Sequence, residues 1–515
     1  MKHYSLIIVL FLVANGVRAQ QGNGVQVRLS EKSKEPMSSV VYDLIGSNDD
    51  GYFIARLKKS YLSATEIIIE KYDQQLQLKN AKVLSGTVDG EILDYTTAFL
   101  FNDKLYAIGY AYFRDGDKKV AYLQEMNTKD LSTPKDQVEM LVMEGIEKDR
   151  LGSFRVVKSP DEQLVGFIGF PNDGKIAILD TKKQKVPSTA IVGVFDTQMQ
   201  QRWSRAFQLD YREKDYTIID SDIDNKGNFY WLGVNDDGKV DGKRQYSYFM
   251  NVYSRDGEKP TEYPLSLDDK FISSCTFDIA PDGGIVISGF YSEKDLNDIK
   301  GVFYTRIDPV SRMALSTSFK AFDTAFMSEF MSARKASKGK ELNDFDFAEM
   351  ILREDGGAVL IAQKYYVTTS TTTDNQGRSR TTYTYHYNEM IVSNINPSGE
   401  IDWVVRIPKR QAASSTAFLS YTSMVKDDKI YLVFNDNERN LTETKENKIH
   451  PYNGKKSVAM LVTIASDGSW AKSALFDNKE EGILLRPKIC QQINENTTLL
   501  YAEKGRTYKM GLLTF

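Results

Sequence analysis

The most constraining feature of this chain is a four-strand unit that recurs along almost its whole length. Between Gln20 and Phe515, short runs of alternating apolar and polar residues are separated by turn-forming residues, and a new unit begins about every 62 residues. A chain of 515 residues exceeds the usual size of a single core, but a ring of small stacked sheets grows by adding units. The repeat therefore predicts an all-β fold of the propeller type.

The fifth and fourth copies of the unit are the clearest. In the fifth, Phe277–Ala280 leads into the turn-forming segment Pro281–Gly284, and further strand-like segments follow. In the fourth, Asp222–Asn228 turns into the apolar run Phe229–Gly233. At these residues the chain resembles bacterial β-propeller repeats whose core reads Asp-x-x-Gly-Asn/Gly before an alternating apolar strand. The resemblance implies blades of four antiparallel strands.

The weaker copies keep turn-forming residues between two apolar runs, at Asn48–Gly51, Asn102–Lys104, Ser159–Asp161, Arg353–Gly357 and Lys426–Lys429. Seven units are complete, and three strand-like segments near the C-terminus form an eighth that lacks one strand. Val25–Leu29 supplies a spare strand at the other end, and pairing it with the last strand would remove two exposed sheet edges. We therefore expect an eight-bladed β-propeller closed by the N-terminal strand, with a seven-bladed ring plus an extra hairpin as the alternative.

The N-terminus predicts export. Lys2 precedes the apolar run Leu6–Val13, and Val17–Ala19 offers small side chains at the positions that a signal peptidase reads. We expect residues 1–19 to be a signal peptide and residues 20–515 to be a single propeller domain, periplasmic or extracellular. The apolar run is too short to span a bilayer, and no second apolar stretch of about 20 residues occurs, so no membrane span is expected.

The net charge and the cysteine positions argue against nucleic acid as a partner and against a disulfide. The formal net charge of −4 argues against nucleic acid as a partner, because binding a polyphosphate requires a clustered basic surface. Cys275 and Cys490 fall in first strands three blades apart, whereas a disulfide requires Cα atoms within about 7 Å. Both are therefore predicted to be buried free thiols.

The long insertions of this repeat fall on one face of the predicted propeller, and long loops on a rigid scaffold usually carry function. Two of them show a pattern of their own. For the insertion 323–343, Phe322 just before it and Phe326 and Phe330 within it recur at helical spacing and predict an amphipathic helix. In 367–387, a threonine-rich run at 367–373, a turn at 374–377 and a strictly alternating return at 381–387 predict a long β-hairpin.

The hairpin supplies the first candidate binding residues. Alternation places Tyr383, Tyr385 and Tyr387 on one side, and a tyrosine stripe can stack on sugar rings or on a protein partner. It can equally cover the neighbouring blade. Arg378 and Arg380 lie near the tip and are expected to be exposed.

Metal and catalytic patterns are sparse. Asp220, Asp222 and Asp224 alternate on one face of a predicted inner strand, where oxygen ligands could line the axial channel or hold a calcium ion. Asp224 is more simply interpreted as a turn-capping residue. No catalytic residue is assigned, and no other cofactor is expected.

We therefore expect an exported, non-catalytic binding or scaffolding propeller whose insertion-bearing face takes a glycan or a protein. The alternative is a carbohydrate-active hydrolase or lyase with its site at the channel mouth. Such an enzyme should bring together two or three carboxylates with an arginine or tyrosine, whereas a binding protein needs only an exposed aromatic patch.

Overall fold

A computed structural model of the chain describes residues 19–22, 24–36, 38–58, 66–116, 118–144, 153–170, 187–212, 215–240, 242–255, 260–308, 311, 313–353, 355–443 and 448–515. Nearly all of the regular structure is β, arranged as many small antiparallel sheets in chain order, which is a propeller-like fold. The predicted signal peptide lies almost entirely outside the described residues.

Three strands precede the first sheet: β1 (Ala19–Gly22), β2 (Val25–Leu29) and β3 (Ser33–Lys34). The first sheet contains β4 (Ser39–Asn48), β5 (Gly51–Lys58), β6 (Glu66–Tyr72) and β7 (Leu78–Leu84). The second contains β8 (Gly86–Val88), β9 (Glu91–Phe101), β10 (Lys104–Phe113), β11 (Lys118–Met126) and β12 (Val138–Met143). The third contains β13 (Ser153–Lys158), β14 (Leu164–Phe170), β15 (Pro187–Asp196) and β16 (Gln201–Arg212).

The fourth sheet contains β17 (Tyr216–Ile223), β18 (Phe229–Val240), β19 (Lys243–Tyr253) and β20 (Thr261–Leu265). The fifth region runs through β21 (Phe271–Ile279), β22 (Ile285–Ser292), β23 (Asp298–Ile299), β24 (Gly301–Ile307) and β25 (Ala314–Ala321). Of these, β23 stands apart and pairs with β26 (Leu342–Asn343). Between β25 and β26 lie two helices, α1 (Thr324–Ser328) and α2 (Ala333–Ala336).

The sixth sheet contains β27 (Phe345–Leu352), β28 (Ala358–Thr373), β29 (Ser379–Ile395), β30 (Ile401–Ile407) and β31 (Gln411–Ala413). The seventh contains β32 (Thr422–Lys426), β33 (Lys429–Asn437), β34 (Ser457–Ile464) and β35 (Trp470–Asp477), with a 3-10 helix at Glu438–Leu441 and α3 (Asn478–Glu481). The last sheet takes β36 (Leu484–Leu485), β37 (Gln491–Asn494), β38 (Thr497–Lys504) and β39 (Thr507–Thr514).

Local turn chemistry explains how the first strand turns into the second in the fourth and fifth sheets. In the fifth sheet, the Ala280 amide donates to the Gly284 carbonyl, and the Gly284 amide donates to Asp282 Oδ1. Gly283 adopts a φ of +84°, which glycine reaches without steric cost. Asp224 closes the equivalent turn in the fourth sheet, where its Oδ1 accepts from the Lys226 and Asn228 amides. These turns lie where the sequence pattern predicts them.

The apolar core is divided into layers between consecutive sheets. One layer, for example, joins the second and third sheets through Phe99, Tyr106 and Phe167. Another joins the last sheet to the first, with Leu44, Ile54 and Tyr72 packed against a set from β38 and β39 that includes Tyr501 and Tyr508. Each small sheet thus buries both faces against its neighbours.

The contact between the last and first sheets is also polar. Arg56 is fully buried, and its Nε donates to Glu70 Oε2 at 2.8 Å. Its Nη2 donates to the Tyr501 hydroxyl at 3.3 Å, and the Tyr72 and Tyr508 hydroxyls are 2.6 Å apart. A charged side chain buried this deeply requires such partners, because an unpaired buried charge is very costly.

The N-terminal strand pairs where the sequence predicts it. Gln26–Leu29 of β2 runs antiparallel to Gly511–Thr514 of β39, and β1 adds a further strand outside β2. The last sheet is therefore built from both ends of the chain.

The insertion 323–343 differs from the single amphipathic helix that the spacing predicts. Asp323 caps α1 by accepting the Phe326 amide, but the chain leaves the helix after Glu329 and restarts at Ser332, which precedes α2 in an extended conformation. Phe330 packs on Phe326, with ring centroids 5.2 Å apart, and also on Phe345 of β27, with centroids 5.7 Å apart. Packing on the sixth sheet outweighs helical continuity here, and the helix restarts after Ser332 without a side-chain cap.

Other expectations concern the thiols and the membrane. Cys275 and Cys490 are both buried and free, as predicted. Burial raises the pKa of each thiol, so neither is activated for reaction. No helix among the described residues is long and apolar enough to cross a bilayer.

Candidate functional site

The most prominent surface feature is the hairpin of β28 and β29, whose residues 367–387 we call the ribbon. Its strands pair from Tyr365 opposite Tyr387 to Thr373 opposite Ser379. The Asp374 amide donates to the Arg378 carbonyl and closes the turn. Every residue from Val367 to Tyr383 is exposed, so most of the ribbon projects beyond the body of the protein.

The ribbon is anchored at its root by Tyr387. This side chain is only 9% exposed and packs with Leu419 and Tyr452. Its hydroxyl accepts from Lys488 Nζ at 2.7 Å, and its carbonyl accepts from Lys409 Nζ at 3.0 Å. Burial raises the pKa of Tyr387. Tyr387 therefore holds the ribbon in place and does not form part of its exposed surface.

The predicted tyrosine stripe is graded from buried to exposed. Tyr387 is buried, Tyr385 is half-buried against the same apolar cluster, and Tyr383 is 52% exposed. Val367, at 40% exposed, lies on the same face, diagonally across from Tyr383. Of the three tyrosines, Tyr383 alone presents half of its surface to a partner.

Arg378 and Arg380 lie at the tip, and both are exposed. The nearest carboxylate along the ribbon is Asp374, whose Oδ1 accepts the Gln376 and Arg378 amides. The carboxylate therefore stabilises the turn, and the two guanidinium groups stand on the exposed surface beside it.

The opposite face of the ribbon is held by side-chain pairs. The His386 ring stacks on Tyr366 with centroids 4.3 Å apart, and His386 Nε2 lies 2.9 Å from the Thr368 hydroxyl. On the tyrosine face, further out, hydroxyl pairs join Thr371 to Thr381 and Thr373 to Ser379 across the strands. Cross-strand pairs of this kind stabilise a hairpin modestly, so the ribbon has a defined shape on its exposed length.

A second feature is a cavity of about 880 Å³ among the first strands of the third to sixth sheets, which we call the inner cavity. Asp220 and Asp222 line it from β17, and Asp278 lines it from β21. The Thr276 hydroxyl donates to Asp220 Oδ2 at 2.7 Å, which joins the fourth sheet to the fifth. Asp224 lies apart from this group, because its carboxylate is occupied by the turn and by the Tyr230 hydroxyl.

Asp222 and Asp278 form a hydrogen-bonded carboxyl pair. Burial, together with the neighbouring carboxylate, raises the pKa of Asp222 to about 8, and burial raises that of Asp278 to about 6. Two carboxyl groups this close cannot both ionise without strong repulsion, so they share a proton near neutral pH. Among the described residues, no group of three or more acidic, histidine or cysteine side chains is arranged to hold a metal ion.

Sequence reasoning missed three carboxyl groups of the inner cavity. Asp278 joins Asp222, and Asp346 and Glu349 of β27 line the same space. Glu349 is bound by the Ser423 hydroxyl at 2.5 Å, and burial raises its pKa. A signal for Asp278 was present, because Asp222–Ile223 and Asp278–Ile279 end equivalent strands of successive repeats. The sequence carries no comparable signal for Glu349.

No protein-family model matches this chain, and no curated protein matches it in sequence. Several solved structures are similar at low identity. The polysaccharide lyase Uly1 is 10% identical with a TM-score of 0.39, covering 94% of this chain and 99% of that one. The cobalt-substituted apocarotenoid oxygenase of Synechocystis is 9% identical with a TM-score of 0.33, covering 95% of this chain and 94% of that one.

Prolyl oligopeptidase B from Galerina marginata is 9% identical with a TM-score of 0.39, and the match covers 90% of this chain but 55% of that one. With identities and TM-scores this low, these similarities assign neither a family nor an activity to the chain.

Proposed function

We propose that this chain is an exported, non-catalytic binding module: an eight-bladed propeller that holds the ribbon out as the docking element for a protein or a glycan. Export rests on the sequence of residues 1–19. The scaffold and the docking element rest on the contacts described above.

Closure into eight blades is supported by two contacts between the ends of the chain. Pairing of β2 with β39 adds N-terminal strands to the last sheet. Arg56 and Tyr72 of the first sheet bond Tyr501 and Tyr508 of the last sheet. A closed ring leaves no sheet face unpaired, which suits a rigid scaffold.

The observation that carries the proposed binding function is the contrast between the root and the tip of the ribbon. The root is fixed by buried Tyr387 and its lysine partners, while all residues from Val367 to Tyr383 face solvent. A two-stranded hairpin alone is marginally stable in water. A long exposed hairpin on a rigid base is well suited to binding, because the base fixes its position and its surface is free for a partner.

The carbohydrate-active hydrolase or lyase remains the second candidate, and the inner cavity is the observation that favours it. Five carboxyl groups converge there, with Tyr248 and Lys158 in the same lining. Against a glycosidase, Asp222 and Asp278 bond each other directly, whereas the two carboxyl groups of a glycosidase stand about 5 Å or more apart to flank the scissile bond. The pair is better explained as a proton-sharing contact between two sheets.

The test compares residues 20–515 with a variant in which residues 369–383 are replaced by Asn-Gly. In the variant, Thr368 and Thr384 flank the new two-residue turn. These two residues form a hydrogen-bonded pair of the β28–β29 ladder, which is the kind of pair that an Asn-Gly turn connects. Both proteins are applied to a glycan array and to a random-peptide phage library. Tyr246→Ala is the matched control, because Tyr246 is an exposed tyrosine, at 37%, on the β18–β19 hairpin.

We expect binding of one ligand class that falls at least about ten-fold in the shortened variant, at unchanged melting temperature, and stays unchanged in the control. Binding that survives shortening of the ribbon contradicts the proposal. Hydrolysis of any polysaccharide that is lost on Asp278→Asn supports the enzyme instead.

A further inference from the structure

The outer edge of β29 is covered by other strands along only part of its length. β30 pairs with Met390–Ile395, and β31 pairs with Tyr385–Tyr387. Within the described residues, no third strand continues along 379–384. The row of added strands therefore stops at the point where the ribbon becomes fully exposed.

The direction of the backbone along this edge follows from the turn. The Asp374 amide bonds the Arg378 carbonyl, and hydrogen-bonded pairs then alternate along an antiparallel ladder. Arg380 and Thr382 therefore bond inward to β28, while the amides and carbonyls of Thr381 and Tyr383 point outward. The same alternation places the backbone of Tyr385 outward, and β31 does pair there.

An outward-facing row of amides and carbonyls is a template for one more strand. Natural edges often prevent such pairing with proline, with bulges or by cover from a loop. Residues 379–383 contain no proline, and the pairing of β29 with β28 has no irregularity along them. The edge of this segment is therefore open to pairing.

The charge of this edge selects the partner. Arg378 and Arg380 are exposed, and the ribbon contains a single carboxylate, Asp374, which is bound by the turn amides. The chain as a whole carries a formal charge of −4, so the tip is a basic spot on an acidic protein. The free edge of β28 at 366–373 carries no charged residue.

We infer that the free edge of β29 at 379–383 binds an extended acidic segment of a protein partner as an additional β-strand. Main-chain bonds to Thr381 and Tyr383 supply the pairing. Carboxylates of the segment meet Arg378 and Arg380, and its apolar side chains cover Tyr383 and Val367. This inference rests on the proposed function and names the partner class for the same site.

The test is selection of random 12-residue peptides by phage display on residues 20–515, followed by affinity measurements on the selected peptides. We expect enrichment of peptides that alternate Asp or Glu with β-branched residues. Thr381→Pro removes an outward donor without breaking the β28–β29 ladder, and Thr369→Pro does the same on the opposite edge. Binding should fall at least about ten-fold in Thr381→Pro and stay within about two-fold in Thr369→Pro.

A charge exchange gives the second readout. The Arg378→Glu/Arg380→Glu variant should lose affinity for the acidic peptides by about ten-fold and gain it for the same peptides with Lys in place of Glu. Failure to select peptides, selection without acidic enrichment, or equal losses in the two proline variants overturns the inference.

The outcomes also separate this inference from the proposed function. Peptide binding that is lost on shortening the ribbon but unchanged in Thr381→Pro contradicts strand addition and leaves the ribbon as the docking element. Binding of glycans alone at the ribbon likewise overturns the protein partner. Binding that survives the shortened ribbon contradicts both proposals.

Discussion

The ribbon and the inner cavity are built in opposite ways. The ribbon is one hairpin, and contacts between neighbouring strands determine its shape. The inner cavity takes its residues from four sheets, and Asp222 meets Asp278 only because two repeats stack. The ribbon exposes its side chains to a partner, whereas Asp222 and Asp278 in the cavity form a hydrogen bond with each other.

The comparison suggests that an unsatisfied surface is a better indicator of binding than a cluster of ionisable groups. Raised pKa values can mark catalytic sites, but structural carboxyl pairs raise them as well. In the inner cavity, Asp222 and Asp278 bond each other and Glu349 accepts from Ser423, whereas burial and the neighbouring Asp344 raise the pKa of Asp346. On the ribbon, Arg378 and Arg380 stand exposed at a tip whose one carboxylate is bound by the turn.

The largest expected effect is at the root of the ribbon. Tyr387→Ala removes a buried ring, its contact with Leu419 and Tyr452, and the acceptor of the Lys488 bond. We expect it to lower the free energy of unfolding by about 3 kcal/mol, measured by urea denaturation. The matched variant Tyr383→Ala, four residues along the same face, should change it by less than about 0.5 kcal/mol. An equal loss of unfolding free energy in the two variants would mean that Tyr383 and Tyr387 are buried to the same extent.

The next effect concerns pH and tests the inner cavity. In the folded state the pKa values of Asp222 and Asp278 are raised to about 8 and about 6, above an unfolded value of about 3.9. The folded state therefore binds more protons than the unfolded one above about pH 4. The stability that the pair contributes is fully present below that pH and is lost as the pH rises through 6 and 8.

We expect the free energy of unfolding to fall between pH 5 and pH 9 through this pair, by at most about 5 kcal/mol. Asp222→Asn should flatten that fall, because the amide can donate to the Asp278 carboxylate without carrying charge. The measurement is urea denaturation of both proteins at the two pH values. Asp224→Asn is the control, since Asp224 lies outside the pair, and it should keep the wild-type slope. An Asp222→Asn slope equal to that of the wild type would show that the two carboxyl groups do not share a proton.

The smallest effect on stability is expected at the exposed end of the ribbon, where a substitution should weaken partner binding without lowering the stability of the fold. Tyr383→Ala should leave the melting temperature within about 1 °C and weaken partner binding by about ten-fold. Calorimetry and an affinity measurement on the same preparation check both parts. If binding is unchanged while stability falls, the Tyr383 ring packs on the protein and does not face a partner.

Sequence patterns predicted the features of this protein that depend on neighbours along the chain. The turn at Pro281–Gly284 and the 367–387 hairpin follow from glycine, aspartate and strict alternation. One contact between distant segments, the pairing of β2 with β39, was also predicted, from the need to cover sheet edges.

Features that depend on distant contacts were missed or only partly predicted. The break between α1 and α2 follows from Phe330 packing on Phe345 of the next sheet. The burial of Tyr387 follows from Leu419 and Tyr452, which lie far along the chain. Alternation placed three tyrosines on one face, but it carries no information on how far another segment covers that face.

Amide hydrogen exchange, with and without a saturating selected peptide, distinguishes binding at the ribbon from binding at the inner cavity. We expect exchange to slow at Thr381 and Tyr383 of the ribbon and to be unchanged in β17 and β21 around the inner cavity. Slowed exchange at β17 and β21, with the ribbon unaffected, would contradict the account and place the ligand at the carboxyl groups instead.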